Sequence, residues 1–182
     1  MGRQSDERVA IFIDGSNFYH STKKILKMDE RINFQKFLDV LTGNRKLVDA
    51  FYYVAPLDIT ADRQKFKKHK KFLDSIKKIP NFNVILCTLK KLKNNGKYIY
   101  LIKGDDVRLS HDILMGAVKD LYDTAIIVSG DEDFFPLIKT VREYGKKVEN
   151  AYIRSSSSYK LRKACDYSLN ISKIASRIID KK

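Results

Sequence analysis

Cysteine is scarce in this chain: of 182 residues only Cys87 and Cys165 carry thiols, far apart and outside any Cys-x-x-Cys pair, so neither a disulfide framework nor a thiolate zinc site is expected. Long apolar runs are missing as well. Hydrophobic residues come in short blocks, well below the roughly 20 consecutive apolar residues of a membrane span. Met1 to Arg8 is polar and charged, without the apolar core and cleavage site of a secretory signal. Together these absences predict a cytoplasmic protein with no membrane part. No Pro-, Gly- or Ser-rich linker and no internal repeat divides the sequence, which reads as a single domain over residues 1–182. A Gly-rich phosphate loop is also lacking, which speaks against an NTPase or a dinucleotide enzyme.

Positive charge is abundant and unevenly placed. The net charge is +14, and between Asp62 and Lys103 thirteen Lys or Arg face only Asp62 and Asp74. Such a field attracts a polyanion, and phosphate backbones bind it through counterion release. Lys outnumbers Arg in this window, which favours contact with the backbone over reading of base edges. The alternative is a solvated lysine-rich helix face that serves solubility.

Val9 to Ile13 is an apolar run that ends at Asp14-Gly15, as a buried strand does when it enters a turn. Helices are predicted at Ser16–Lys27 and at Phe34–Leu41, the second with Asn33 as N-cap. Leu47–Val54 reads as a strand and Thr60–Lys78 as a long helix with lysines on its polar face. Phe82–Leu89 and Tyr98–Ile102 are β-like around the turn signal Asn94-Asn95-Gly96. Then follow a helix at Asp106–Tyr122, a strand at Ala125–Ser129, a helix at Phe134–Tyr144, a strand at Lys147–Tyr152, a serine loop at Ser155–Ser158, an apolar stretch at Tyr167–Ile171 and a final amphipathic helix. Strands alternating with helices predict an α/β fold with a mostly parallel sheet covered on both faces, whose chemistry lies beyond the strand carboxyl ends.

Two of those strand ends are acidic. Asp14 closes the first strand, and Asp131 and Asp133 follow Ala125–Ser129. Aspartates crowded into one cleft repel one another unless a divalent cation neutralises them, and a carboxylate-only oxygen set selects Mg²⁺ or Mn²⁺. Along the intervening helix Asp105, Leu109, Asp112 and Gly116 fall on one stripe, with Gly116 allowing close packing and Asp106 further round. Asp105 or Asp106 can alternatively serve as an N-cap.

Three pieces, Ile11-Phe12-Ile13-Asp14-Gly15-Ser16-Asn17-Phe18-Tyr19, Lys103-Gly104-Asp105-Asp106-Val107 with Asp112 downstream, and Val128-Ser129-Gly130-Asp131-Glu132-Asp133-Phe134, stand in register along the chain. In order and spacing they resemble the NYN family, the LabA-like group of the PIN-like nuclease superfamily, over roughly residues 8–170. The resemblance implies a PIN-like three-layer α/β/α sandwich and a metal-dependent nuclease acting on RNA or, in some relatives, other nucleic acid. It implies Asp14, Asp112, Asp131 and Asp133 as ligands of Mg²⁺ or Mn²⁺, and Asp106 as a further catalytic member. Asn17, Ser129 and Lys103 are then the substrate-binding residues, the first two directed at phosphate or at the attacking water. Asp106 matches the acidic position of the family's Lys-Gly-x-Asp piece, whereas the helical stripe selects Asp105, so both stay open. The fold family also admits a homodimer.

Two other functions compete with an RNA-cutting enzyme. One is a non-catalytic RNA-binding or regulatory module on the same fold. The other is a phosphohydrolase of the haloacid dehalogenase type, disfavoured because Ser16 stands where that fold places its acid/base aspartate. The remaining features read as structural. His20, His69 and His111 lack metal-ligand spacing, Cys165 lacks a histidine partner, and Tyr52, Tyr53, Tyr98 and Tyr100 read as core before they read as base-stacking rings. The serine run reads as a flexible loop, with contact to substrate phosphate as its functional alternative.

Overall fold

The computed structural model describes residues 5–57, 62–94 and 97–181, and of residues 90–94 and 97–103 the backbone alone. Strand β1 (Arg8–Asp14) leads into α1 (Gly15–Thr22), the short β2 (Glu30–Ile32), α2 (Phe34–Thr42) and β3 (Lys46–Val54). Next come α3 (Arg63–Ile76), β4 (Phe82–Leu86), the hairpin strands β5 (Thr88–Asn94) and β6 (Lys97–Lys103), and α4 (Asp105–Val118). The chain closes with β7 (Thr124–Val128), α5 (Phe135–Glu143), β8 (Lys147–Tyr152), α6 (Tyr159–Ala164), β9 (Tyr167–Asn170), α7 (Ala175–Ile178) and β10 (Ile179–Lys181).

Six strands form the central sheet in the order β4-β3-β1-β7-β8-β9, and each neighbouring pair is parallel. Side chains alternate across β1: Val9, Ile11 and Ile13 enter the hydrophobic cluster shared with α2 and α3, whereas Ala10 and Phe12 enter the one shared with α4 and α5. Both faces are covered, so β1 reads as a continuous apolar run rather than as alternating polar and apolar residues. The result is a three-layer α/β/α sandwich. Among the described residues no helix is long and apolar enough to cross a membrane.

Local signals explain most boundaries. Asn33 caps α2 by accepting a hydrogen bond from the Lys36 N–H at 3.0 Å, and Asp62 caps α3 through the N–H groups of Gln64 and Lys65. The predicted β-like stretch from Phe82 is broken at Cys87: its first half joins β3 in the main sheet, and its second half pairs antiparallel with β6. Asn95 and Gly96 lie outside the described residues, as does Thr60.

The final amphipathic helix is the clearest departure from the sequence expectation. Ile171, Ile174 and Ile178 do keep helical spacing and are buried, but the first turn is 3₁₀ and α7 lasts four residues. The β-branched pair Ile178-Ile179 then passes into β10, which pairs antiparallel with β2 while Asp180 accepts from Asn33 Nδ2 and Lys36 Nζ, each at 2.7 Å. Helix α1 stops at Thr22 rather than reaching Lys27. Helix α6, with Ser158 accepting from the Leu161 N–H at 3.3 Å, had no counterpart in the pattern reading.

Helix α4 is seated by Gly116. A Cβ there would lie 2.6 Å from Cε1 of Tyr122, a ring fixed by its 2.6 Å hydrogen bond to the Ile113 carbonyl and by its edge contact with Phe12. Gly116→Ala is therefore expected to destabilise the fold by about 1–2 kcal/mol, overpacking outweighing the roughly 1 kcal/mol gain in helix propensity. A lowered urea midpoint at unchanged denaturant dependence would register this; an unchanged or raised midpoint would contradict it.

Candidate functional site

From β1 the chain builds outward through β3 to β4, then returns to place β7 on the other side of β1. The crevice beyond the carboxyl ends of β1 and β7 is the topological switch point of the sheet, where backbones diverge and leave room for a ligand. Asp14 is the last residue of β1, and Ser129, Gly130 and Asp131 follow β7 directly.

Asp14 is buried, 6% exposed, and serves as N-cap of α1. Its Oδ1 accepts the Asn17 N–H and its Oδ2 accepts the Ser129 hydroxyl, both at 3.0 Å. Burial pushes its carboxyl above the ordinary range; these two hydrogen bonds oppose the rise, and Asp105 and Asp131 add to it. Ser129 Oγ also accepts the Asp131 N–H at 3.1 Å, and Asn17 Oδ1 accepts the Gly130 N–H at 3.0 Å. Two side chains thus staple the start of α1 to the turn after β7. Neither glycine here tolerates a side chain: a Cβ on Gly15 would meet the Tyr53 carbonyl at 2.4 Å, and one on Gly130 would meet the Ser156 carbonyl at 1.8 Å.

Helix α4 brings the third segment. Gly104 supplies the left-handed turn, φ 79°, that starts it. The Asp106 carboxyl is pushed up to about 6, by burial first and then by Asp105, Asp14, Asp131 and Asp133. Asp105 shares this field; it acts on Asp14 and also, after burial, on the raised Cys87 thiol. Asp131 caps the 3₁₀ turn Glu132–Phe134 through the Asp133 N–H at 3.0 Å, and Asp133 itself is exposed.

Asp112 sits in a different set of contacts. Its Oδ2 accepts the Tyr53 hydroxyl at 3.1 Å and Arg108 Nε at 3.0 Å, and its Oδ1 lies 3.0 Å from His111 Nδ1. Burial raises its pKa, but the His111, Arg108 and Tyr53 hydrogen bonds outweigh burial, and the net shift is downward. Of the expected residues, then, Asp14, Asp106, Asp131 and Asp133 share one electrostatic cleft with Asp105, Asn17 and Ser129 brace it, and Asp112 stands paired beside it. The Lys103 side chain lies outside the described residues.

The serine segment is held from both sides. Ser156 Oγ donates to Ser21 Oγ at 2.7 Å, Lys24 Nζ reaches the Ser155 carbonyl at 3.4 Å, the Ser158 N–H donates to the Gly130 carbonyl at 2.8 Å, and Ser158 Oγ donates to Glu132 Oε2 at 2.8 Å. It bridges α1 and the acidic turn instead of swinging free.

The model of the NYN domain family matches residues 8–172. The chain belongs to the NYN domain family. A crystal structure of VPA0982, a protein of unknown function from Vibrio parahaemolyticus, is similar at a TM-score of 0.68 and 25% identity, over 94% of this chain and 96% of that one. No curated protein matches the chain. On the NYN fold the three sequence pieces become the end of β1, the entry to α4 and the turn after β7, gathered at one edge of the sheet.

The charged groups gathered there are carboxylates, whose oxygens are the donors that hard divalent cations take. As they stand, and among the described residues, no three His, Cys, Asp or Glu side chains converge into a ready coordination shell. Both cysteines are free; burial chiefly, and Asp166 next, push the Cys165 thiol up to about 12, far from thiolate chemistry. Tyr52 and Tyr53 belong to the core, at 3% and 1% exposure, and Tyr98 and Tyr100 have side chains outside the described residues.

Asn150 is the supporting residue that the sequence reading missed. It is 1% exposed, and its Nδ2 donates to the carbonyls of Ile127 at 3.0 Å and Ser129 at 2.9 Å, holding the end of β7. An amide on the same face of β8 as the apolar Val148 was the available signal.

The Asp106 shift has a consequence for stability. Its folded value near 6 exceeds the ordinary carboxylate value, so between about pH 4 and pH 6 the folded state binds more protons and stability falls as pH rises. In EDTA, Asp106→Asn is expected to be more stable than the parent at pH 7.5 by about 1 kcal/mol, a figure kept small because the group is half-exposed and screened. The advantage should vanish below about pH 4, where the parent carboxyl is protonated in both states. Urea midpoints at the two pH values measure it; equal midpoints at pH 7.5 would contradict the assignment.

Proposed function

We propose that this NYN protein is a Mg²⁺- or Mn²⁺-dependent ribonuclease that hydrolyses RNA phosphodiester bonds at the acidic cleft. The observation that carries the reading is that Asp14, Asp106 and Asp131, from three separate segments, feel one another's charge near the switch point of the sheet. NYN domains are usually nucleases of the PIN-like type and typically use divalent metals, which supports it. The net charge of +14 supports an RNA partner, and the two free cysteines fit a reducing cytoplasm.

Asp14, Asp106, Asp131 and Asp133 are the oxygen donors offered to the cation, with Asp112 contributing from the flank, where Tyr53, Arg108 and His111 already engage it. When bound, the cation supplies an activated water and neutralises charge on the leaving oxygen. The protein's own share is positioning. Ser129 and the Asn17 N–H fix both oxygens of Asp14 and favour its charged form, while Asn17 Oδ1 keeps the Asp131 turn against α1. Lys103 and the lysine-rich window draw the phosphate backbone toward the cleft.

One observation favours a second reading, a non-catalytic RNA-binding module: no three acidic side chains among the described residues converge as a ready shell. Incubation of end-labelled single-stranded RNA with Mn²⁺ or Mg²⁺ separates the two. The ribonuclease reading expects cleavage that EDTA abolishes, that Asp14→Asn eliminates without loss of RNA binding, and that Ser129→Ala lowers by about 10- to 100-fold, the usual cost of removing a ligand's supporting hydrogen bond. Salt-sensitive binding with the RNA left intact in both metals would transfer the assignment to the binding module.

A further inference from the structure

Two tyrosines are left facing solvent at the ends of the serine bridge. Tyr19, on α1 two residues beyond Asn17, is 52% exposed and carries Lys23 Nζ 4.3 Å from its ring centroid. Tyr159, the first residue of α6, is 66% exposed, with the Arg162 guanidinium 5.7 Å and Lys163 Nζ 5.8 Å from its centroid. Exposed rings of this size forgo burial that the core would reward, and each here has a cation near its ring.

Their position ties both to the cleft. Tyr52, whose hydroxyl lies 3.4 Å from the Gly15 carbonyl, has Asp14 and Tyr19 as its electrostatic neighbours, and Tyr19 belongs to the same short helix that Asp14 caps. Tyr159 follows Ser158, which bonds the Gly130 carbonyl and Glu132, so it borders the acidic turn from the other side. Between them runs the segment pinned by Ser156 to Ser21 and by Lys24 to the Ser155 carbonyl.

We infer that Tyr19 and Tyr159 are base-stacking platforms for a single-stranded nucleic acid whose backbone crosses the serine bridge, with Lys23, Lys24 and Lys163 taking its phosphates. The inference rests on the reading of the cleft as a phosphodiester site and adds how a strand is held there. A ring face open to solvent meets an unpaired base, not one stacked inside a duplex, and ring plus cation is the combination that binds single strands irrespective of sequence. The lysine face of α3 differs in kind. Lys67, Lys70, Lys71 and Lys78 line an open groove of about 350 Å³ there with Asp74 and Ser75, and among the described residues no aromatic ring lines it.

The chain contains no tryptophan, so Tyr19→Trp and Tyr159→Trp each install a single reporter. Both are titrated in EDTA with a short oligoadenylate and, separately, with inorganic polyphosphate, which has the charge but no bases. The oligoadenylate is expected to quench either tryptophan and polyphosphate to leave it bright. Tyr19→Ala/Tyr159→Ala should weaken oligoadenylate binding on the order of 10- to 100-fold, leaving polyphosphate affinity and the urea midpoint unchanged. Equal quenching by both polyanions would overturn the proposal. So would an unaltered oligoadenylate affinity in the double alanine variant that Lys67→Glu/Lys70→Glu/Lys71→Glu then abolishes. Because no cleavage occurs in EDTA, failure here leaves the ribonuclease reading standing, and failure of cleavage leaves the stacking result standing.

Discussion

The arrangement hangs on one buried carboxylate. Asp14 sits at the end of the central strand with each oxygen satisfied by a fixed donor, the Asn17 N–H on one side and the Ser129 hydroxyl on the other. An ionised aspartate removed from water is costly unless such bonds replace its hydration. Those bonds dictate the rest: α1 must begin at Gly15, the turn after β7 must bring Ser129 alongside, and Gly130 must lie too close to Ser156 for any Cβ. Asn150 then holds the Ser129 carbonyl from β8. One charge organises three strands and two loops.

Around it the fold accumulates like charge. Burial first, and then Asp105, Asp14, Asp131 and Asp133, lift the Asp106 carboxyl to about 6. A cluster of this sort works against stability at neutral pH, and the surrounding structure must offset it. Tight anchors elsewhere serve that end. Arg8 at the opposite end of β1 bonds Asp123 and Asp120, and Arg45 pairs with Glu149 at 2.7 Å on the far side of the sheet. Charges are matched where the frame is held and of like sign where the three acidic segments approach one another.

The frame was legible because its signals are local. The apolar run Val9 to Ile13 ending in Asp14-Gly15, the Asn33 cap, and the paired aspartates after Val128 all announce themselves within a few residues, and the NYN pieces fix their order. What escaped depends on contacts between distant segments. Asp112 lies on the stripe expected of a cleft-facing residue, yet its carboxylate also accepts the hydroxyl of Tyr53, fifty-nine positions away, and Arg108. The serine run reads as a loose loop until its partners Ser21, Lys24 and Gly130 are known. Helical spacing of Ile171, Ile174 and Ile178 conceals a strand, because β10 exists only by pairing with β2. Aromatic rings divide in the same way: the strand tyrosines Tyr52 and Tyr53 went to the core, and that Tyr19 and Tyr159 are exposed emerges only once helices are placed.

The hydrogen bond from Ser129 to Asp14 spans 115 positions of the chain. During synthesis β1 leaves the ribosome first and waits, its terminal aspartate without its serine donor, until β7 and the turn after it have emerged. Loop closure over that distance belongs among the late steps of folding. Assembly of the acidic cluster is thereby timed to a nearly finished polypeptide: a nascent or truncated chain lacking β7 carries the first aspartate without the serine donor and the second acidic turn that complete its surroundings.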